Sequence, residues 1–304
     1  MPKLTIIIPY YKIAFFKETL QSLEQQTCKD FNLFIGNDAS PENPENLIKE
    51  TLKTTDFIYK EYTDNVGSQN LVKQWERCIQ DCGITEWFQI LGDDDVISEN
   101  FVEEFYANLH ETVQQKAMVL KAPQCIINEM GEVMAGLSEF PYLFSRNYNW
   151  QRKFRSGERA SLSEHIFKTS QYRKYKFQKF PFAWGSDDVA VYEFSESEPI
   201  LFLKKSKVFV RVSKHSISGS EDNMIAKKNA YHYFEKYMIN HHYKNLEKED
   251  IYKMINQQIS YSYKNNLSLR INLYKIYWYF KDITQIKKSF KTYFYLNQMR
   301  KKQK

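Results

Sequence analysis

Three adjacent carboxylates, Asp93, Asp94 and Asp95, end the apolar run in "EWFQILGDDDVISENF". Like charges side by side repel, so either water screens them in a turn that favours the next helix N-terminus, or a cation sits on them. Carboxylates so placed are ligands for a hard divalent ion such as Mg²⁺ or Mn²⁺. A second acidic pair, Asp187 and Asp188, stands in "FAWGSDDVAVYEF" ahead of a helical pattern. Ser186 or Asp187 could cap that helix, with Asp188 complementing its dipole.

The elements that must position these groups are legible from periodicity. "LTIIIPYY", Leu4 to Tyr11, is continuously apolar, as a strand buried on both faces is, and Phe16, Leu20 and Leu23 follow at helical spacing. The pattern recurs in "FNLFIGND" (31–38) with a helix near 45–52, and in "DFIYKEY" (56–62) with a helix near 69–82. The run ending at Gly92 supplies a fourth strand, with a helix over about 99–115. Strands alternating with helices predict a mostly parallel α/β sheet with right-handed crossovers.

Ligands of such sheets bind beyond the carboxyl ends of the strands. Those exits carry Pro9 and Tyr11, Asn37 and Asp38, Asn65 and Gly67, and finally the three aspartates. Asn65, Gly67 and Asn70 read as a turn and helix cap. The first strand-to-helix turn, "PYYKIAFF", has no glycine, which excludes a dinucleotide fingerprint. Past Lys116, "AMVLKAPQCIIN" and "GEVMAG" read as a strand pair, residues 143–179 are basic and aromatic with weak periodicity, and "PILFLKKSKVFVRV" (199–212) favours strand. The segment from Asn223 is helical in spacing and nearly free of glycine and proline.

Composition narrows the class. Hydrophobic residues at 42% and charged residues at 26% of 304 suit a soluble globular chain. Four cysteines without a CxxC pair or zinc spacing predict a reduced, cytosolic protein. No signal peptide or membrane span is expected. Residues 223–304 carry 17 Lys and Arg against 5 Asp and Glu, net +12, whereas residues 1–222 carry 26 against 32, net −6. With its lysines, tyrosines and tryptophan, the tail suits either peripheral contact with an anionic membrane or packing on the body or a second subunit. An acidic body without a recognised module excludes nucleic acid as partner.

"LTIIIPYYK", "LQSLEQQTCKDFNLFIGNDAS", "NVGSQNLVKQWERCI" and "FQILGDDDVISENF" stand in the order and spacing of family 2 glycosyltransferases, which they resemble over roughly the first 115 residues. The resemblance implies a GT-A nucleotide-sugar fold over 1–222, with a nucleotide-binding half (1–115) and an acceptor half (116–222), and a basic helical appendage over 223–304. It implies an inverting transfer of a sugar, most simply from a UDP-linked donor, to a glycan or lipid-linked acceptor, as in surface polysaccharide synthesis. Carried over by motif, Pro9, Tyr11 and Asp38 flank the base, Asp93 lies near ribose and phosphates, and Asp94 and Asp95 hold the divalent cation. Asp188 is the catalytic base with Asp187 as alternative, and "FVRVSKHSISGS" contributes Arg211 to the diphosphate and His215 to the metal. Departures are Lys12, where the family has asparagine, and Asn37, where it has the first of two aspartates. A sugar-nucleotidyltransferase or a non-catalytic nucleotide-binding subunit are the alternatives.

Overall fold

The computed structural model describes residues 1–213, 224–265 and 267–302, and the chain divides into two compact units, 1–223 and 224–304. The first unit is built on strands β1 (Leu4–Tyr10), β2 (Phe31–Asn37), β3 (Ile58–Glu61), β4 (Trp87–Ile90), β5 (Val96–Ile97), β6 (Val119–Lys121), β7 (Gln124–Ile127), β8 (Val133–Ala135), β9 (Leu143–Phe144), β10 (His165–Lys168), β11 (Ile200–Phe202) and β12 (Val208–Arg211). They form an eight-stranded sheet, β3-β2-β1-β4-β10-β6-β11-β9, and a four-stranded sheet, β5-β12-β7-β8.

In the large sheet β3, β2, β1 and β4 are parallel, as the alternation of strands and helices requires. Both faces are covered, so neighbouring β1 residues enter different cores: Leu4, Ile6 and Ile8 pack with Phe16, Leu20 and Phe105, while Ile7 packs with Val72, Trp75 and Phe88. Pro9 is tolerated in this central strand because pairing with β4 ends at Ile7, leaving no ladder bond there for a missing N–H. The helix Leu71–Asp81 is capped by Asn70, whose side chain accepts from Val72 N at 3.1 Å, and it buries Val72, Trp75, Cys78 and Ile79. Trp75, Trp87, Cys78 and Cys82 are buried, and all four cysteines are free thiols.

Three expectations change. The stretch "AMVLKAPQCIIN" is two strands, because Pro123 breaks it and β6 and β7 enter different sheets. "PILFLKKSKVFVRV" likewise divides into β11 and β12. The helix expected over 99–115 is two, Phe101–Ala107 and Leu109–Gln114, meeting at Asn108 (φ −95°, ψ −1°). The weakly patterned stretch also contributes β10, four residues that pair antiparallel with both β4 and β6 in the middle of the sheet. The chain thus leaves the large sheet for the small one after β4, β6 and β11, and the first of these passages consists of Leu91 to Asp95.

The second unit consists of the helices Met224–His242, Lys248–Lys264, Leu273–Tyr279 and Ile283–Lys302. Among the described residues no helix is long and apolar enough to cross a membrane.

Gly36 in β2 tests the packing directly, since a Cβ there would lie 2.4 Å from Cys78 Sγ. Gly36→Ala should destabilise the protein by about 1–3 kcal/mol in chemical denaturation, and Cys78→Ala in the same chain should recover most of that loss.

Candidate active site

The four parallel strand exits are joined by hydrogen bonds. Tyr11 N and Lys12 N donate to Asp93 Oδ2 at 2.7 and 2.8 Å, tying the exits of β1 and β4. Asp38 N donates to Tyr10 O (3.0 Å) and Ser40 Oγ to Tyr11 O (2.6 Å), tying β2 to β1. Asp38 in turn accepts from Val66 N (3.0 Å) and Gly67 N (2.8 Å), which fixes the loop after β3.

The Asp38 carboxylate is buried and also paired with Arg77. Burial raises its proton affinity against the pull of the Gly67 amide and the Arg77 guanidinium. Asp93 likewise caps the β1 turn instead of presenting both oxygens outward. Tyr11 remains an exposed ring on this rim, 38% accessible, with Pro9 half-buried beneath the same strand end.

Asp94 and Asp95 lie in the passage between the sheets, with different surroundings. Asp95 is 6% exposed; Oδ1 accepts from Arg211 N at 2.9 Å, and Oδ2 accepts from Ser163 Oγ. Ser163 Oγ also accepts from Gly92 N at 3.0 Å. A Cβ on Gly92 would stand 2.9 Å from Asp95 Oδ2 and 3.1 Å from Asp94 Oδ1, so glycine is needed for both oxygens to close over one point. Burial, with Asp95 and Asp93 as neighbours, pushes Asp94 up to about 8, and burial pushes Asp95 up to about 6. This is negative charge that a cation would compensate. Among the described residues no third His, Cys, Asp or Glu completes a protein cage. Two carboxylates and no more suit an ion that takes its other ligands from phosphate and water, as Mg²⁺ commonly does. The expected third ligand, His215, lies outside the described residues.

The Arg211 side chain is buried and engaged with protein groups. Its side chain has no exposure: Nε donates to Asp94 O (3.1 Å), one terminal nitrogen donates to Asn128 O (2.9 Å) and Glu129 O (3.2 Å), and the other pairs with Glu18. The guanidinium also sits 4.4 Å from the Phe15 ring centroid. These contacts tie Arg211 to the backbone of Asp94 and, through its own amide, to Asp95.

Asp187 and Asp188 lie in the first turn of the helix Ser186–Ser195, and the backbone leading into it is left-handed at Phe182, Ala183 and Gly185 (φ 56°, 55° and 82°). Two of these are not glycine, and such strain, about 1–3 kcal/mol each, collects at functional sites. Asp188 forms an ion pair with Lys153 from the helix Arg146–Phe154. Burial and the Asp188 charge raise Asp187 to about 6, with Lys153 opposing. Behind them a buried pair, Lys121 to Glu164, closes at 2.8 Å, and burial raises Glu164 to about 7 against the Lys121 and Lys153 charges. Glu164 follows Ser163, the residue bonded to Asp95, so residues 163–164 touch the neighbourhoods of both acidic pairs.

Sequence reasoning missed Arg77, Lys121, Lys153, Ser163 and Glu164. The last three come from the stretch without clear periodicity, and only the folded chain brings them to the aspartates.

A family model for glycosyl transferase family 2 matches residues 5–186, more than half of the chain. The chain belongs to glycosyl transferase family 2. The fold agrees with solved GT-A structures of that kind. One is S. aureus TarS in complex with UDP-GlcNAc, with a TM-score of 0.64 at 14% identity over 89% of this chain and 76% of that one. Another is GalNAc-T7 with UDP, GalNAc and Mn²⁺, with a TM-score of 0.52 at 10% identity over 76% of this chain and 47% of that one. Among curated proteins, a teichoic acid poly(glycerol phosphate) polymerase of Staphylococcus epidermidis is 42% identical over 57 residues, 18% of this chain and 8% of the polymerase. The large sheet of this chain, mostly parallel and flanked by helices, is the GT-A sheet.

Arg211→Lys keeps the charge and loses the fork of donors. The variant should therefore lose about 2 kcal/mol or more of unfolding free energy in chemical denaturation.

Proposed function

We propose that the protein transfers a sugar from a UDP-linked donor to a glycan or lipid-linked acceptor by a single inverting displacement, in the synthesis of a surface polysaccharide. The observation that carries the reading is the convergence of Asp94 Oδ1 and Asp95 Oδ2 over Gly92, at a rim where a nucleotide would lie across the strand exits. The TarS and GalNAc-T7 complexes, which contain UDP or a UDP-sugar and in one case Mn²⁺, support the choice of donor and ion class.

In this reading Asp94 and Asp95 would hold Mn²⁺ or Mg²⁺, which when bound supplies charge neutralisation for the departing diphosphate. Ser163 and Arg211 keep Asp95 from turning away, so Asp94 is the carboxylate that adapts. The exposed Tyr11 ring offers a face for the base. Asp38 and Asp93 act indirectly, by fixing the loops on either side of that ring.

Asp188 takes the proton of the acceptor hydroxyl as its oxygen attacks the anomeric carbon, and Asp187 stands beside it as the alternative acceptor. Lys153 holds the pair in place and offsets its charge. Glu164 and Lys121 form the polar floor behind them.

Asp188→Asn should lower kcat by about 10²- to 10⁴-fold with little change in donor KM. A loss of that size in Asp187→Asn, with Asp188→Asn near normal, would move the base to Asp187.

With Asp187 as the proton acceptor, which must be ionised to work and is raised to about 6, kcat should fall as pH drops through about 6. Lys153→Met removes the opposing cation, and the acid limb of the kcat profile should then move to higher pH.

Mn²⁺ with UDP should raise the melting temperature of the wild type and leave Asp94→Asn unchanged. Stabilisation by no uridine nucleotide would overturn the donor assignment.

A further inference from the structure

The second unit carries an apolar surface that the transfer reaction does not use. On the helix Ile283–Lys302, Ile283, Phe290 and Phe294 are 67%, 63% and 67% exposed. At i, i+7 and i+11 they form one stripe, while Ile286, Ser289 and Tyr293 turn towards the rest of the unit. The stripe continues onto the helix Leu273–Tyr279: the Tyr274 ring lies 6.1 Å from that of Phe290 and 6.0 Å from that of Trp278, itself 66% exposed. Exposed large side chains are common singly, but a contiguous aromatic patch calls for an occupant.

Charge decides which occupant fits. Lys287 lies on the stripe itself, one turn from Ile283 and from Phe290, and Lys275, Lys281, Lys288 and Lys291 are exposed around it. Residues 271–304 contain nine Lys and Arg and a single acid, Asp282. Asp282 is taken up inside the unit, paired with Lys248 at 3.1 Å and accepting from Tyr252 Oη at 3.1 Å. A second copy seated on this stripe would bring lysine against lysine. An anionic lipid surface takes the rings at headgroup depth while the lysine stems lie along the apolar face and their ammonium groups reach phosphate.

We propose that the two helices Leu273–Tyr279 and Ile283–Lys302 form an interfacial membrane-binding surface, with Tyr274, Trp278, Ile283, Phe290 and Phe294 entering the headgroup region of an anionic bilayer and the flanking lysines holding its phosphates. The unit lies on the bilayer without crossing it. This rests on neither the donor nor the catalytic assignment.

Co-sedimentation of the full chain tests it, with vesicles of phosphatidylcholine alone or with about one-third phosphatidylglycerol. The protein should pellet with the anionic vesicles, stay in solution with the neutral ones, and dissociate progressively as salt rises. Lys287→Glu/Lys288→Glu/Lys291→Glu should reduce the anionic partition by about 100-fold or more. Phe290→Ser/Phe294→Ser should reduce it about tenfold or more, most visibly at high salt where the lysines are screened. Both sets lie at exposed positions, and circular dichroism with a cooperative thermal melt checks that each variant is folded. Pelleting that ignores phosphatidylglycerol, or no pelleting at all, would overturn the proposal. So would a concentration-dependent oligomer in light scattering that Phe290→Ser/Phe294→Ser dissociates, since the patch would then be a subunit interface.

Discussion

A guanidinium without access to water must find a partner for nearly every donor, because the cost of taking it out of solvent is several kcal/mol before any pairing is counted. Arg211 meets that requirement where the two sheets of the catalytic unit meet. It bonds the backbone of Asp94, Asn128 and Glu129 and the side chain of Glu18, stacks on Phe15, and presents its own amide to Asp95. A change in the approach of the two sheets would break several of these contacts together, so the arginine holds the acidic passage between them in one geometry.

That constraint explains how an electrostatically unfavourable cluster persists. Asp93, Asp94 and Asp95 cannot relax into a solvated turn, since Asp93 is tied to the β1 exit and Asp95 to Ser163 and Arg211. Among the described residues, Asp94 alone of the three carboxylates makes no side-chain hydrogen bond to another element. Such a site trades stability for a field that favours a cation, a common arrangement where function needs strain that the rest of the fold can bear. The left-handed backbone before Asp187 is a second instance in the same unit.

The two units divide the electrostatics between them. The catalytic unit has a negative balance and concentrates its uncompensated charge at the rim, while the helical unit is strongly positive and shows its lysines among exposed rings. A positive, aromatic surface and a carboxylate-rich site place opposite demands on solvent, and separate cores allow each to be met without compromise.

Periodicity and residue order were enough to place β1 to β4 and the helices between them, because an apolar strand buried on both faces and a helix with one apolar stripe each leave a local pattern. The same local signal located Asp38, the aspartate run and the pair at 187–188, and the ordered blocks pointed to the family. Direction and partnership were beyond it. That Asp38 meets Arg77 and the β3 loop, that Arg211 joins the aspartate passage to Glu18, and that Lys153 and Ser163 reach the acidic pairs all depend on contacts between residues tens to more than a hundred positions apart. Strand β10 and the two strand divisions escaped for the same reason: short buried segments of three or four residues carry too little pattern to reveal which sheet receives them, and only the packed sheets decide.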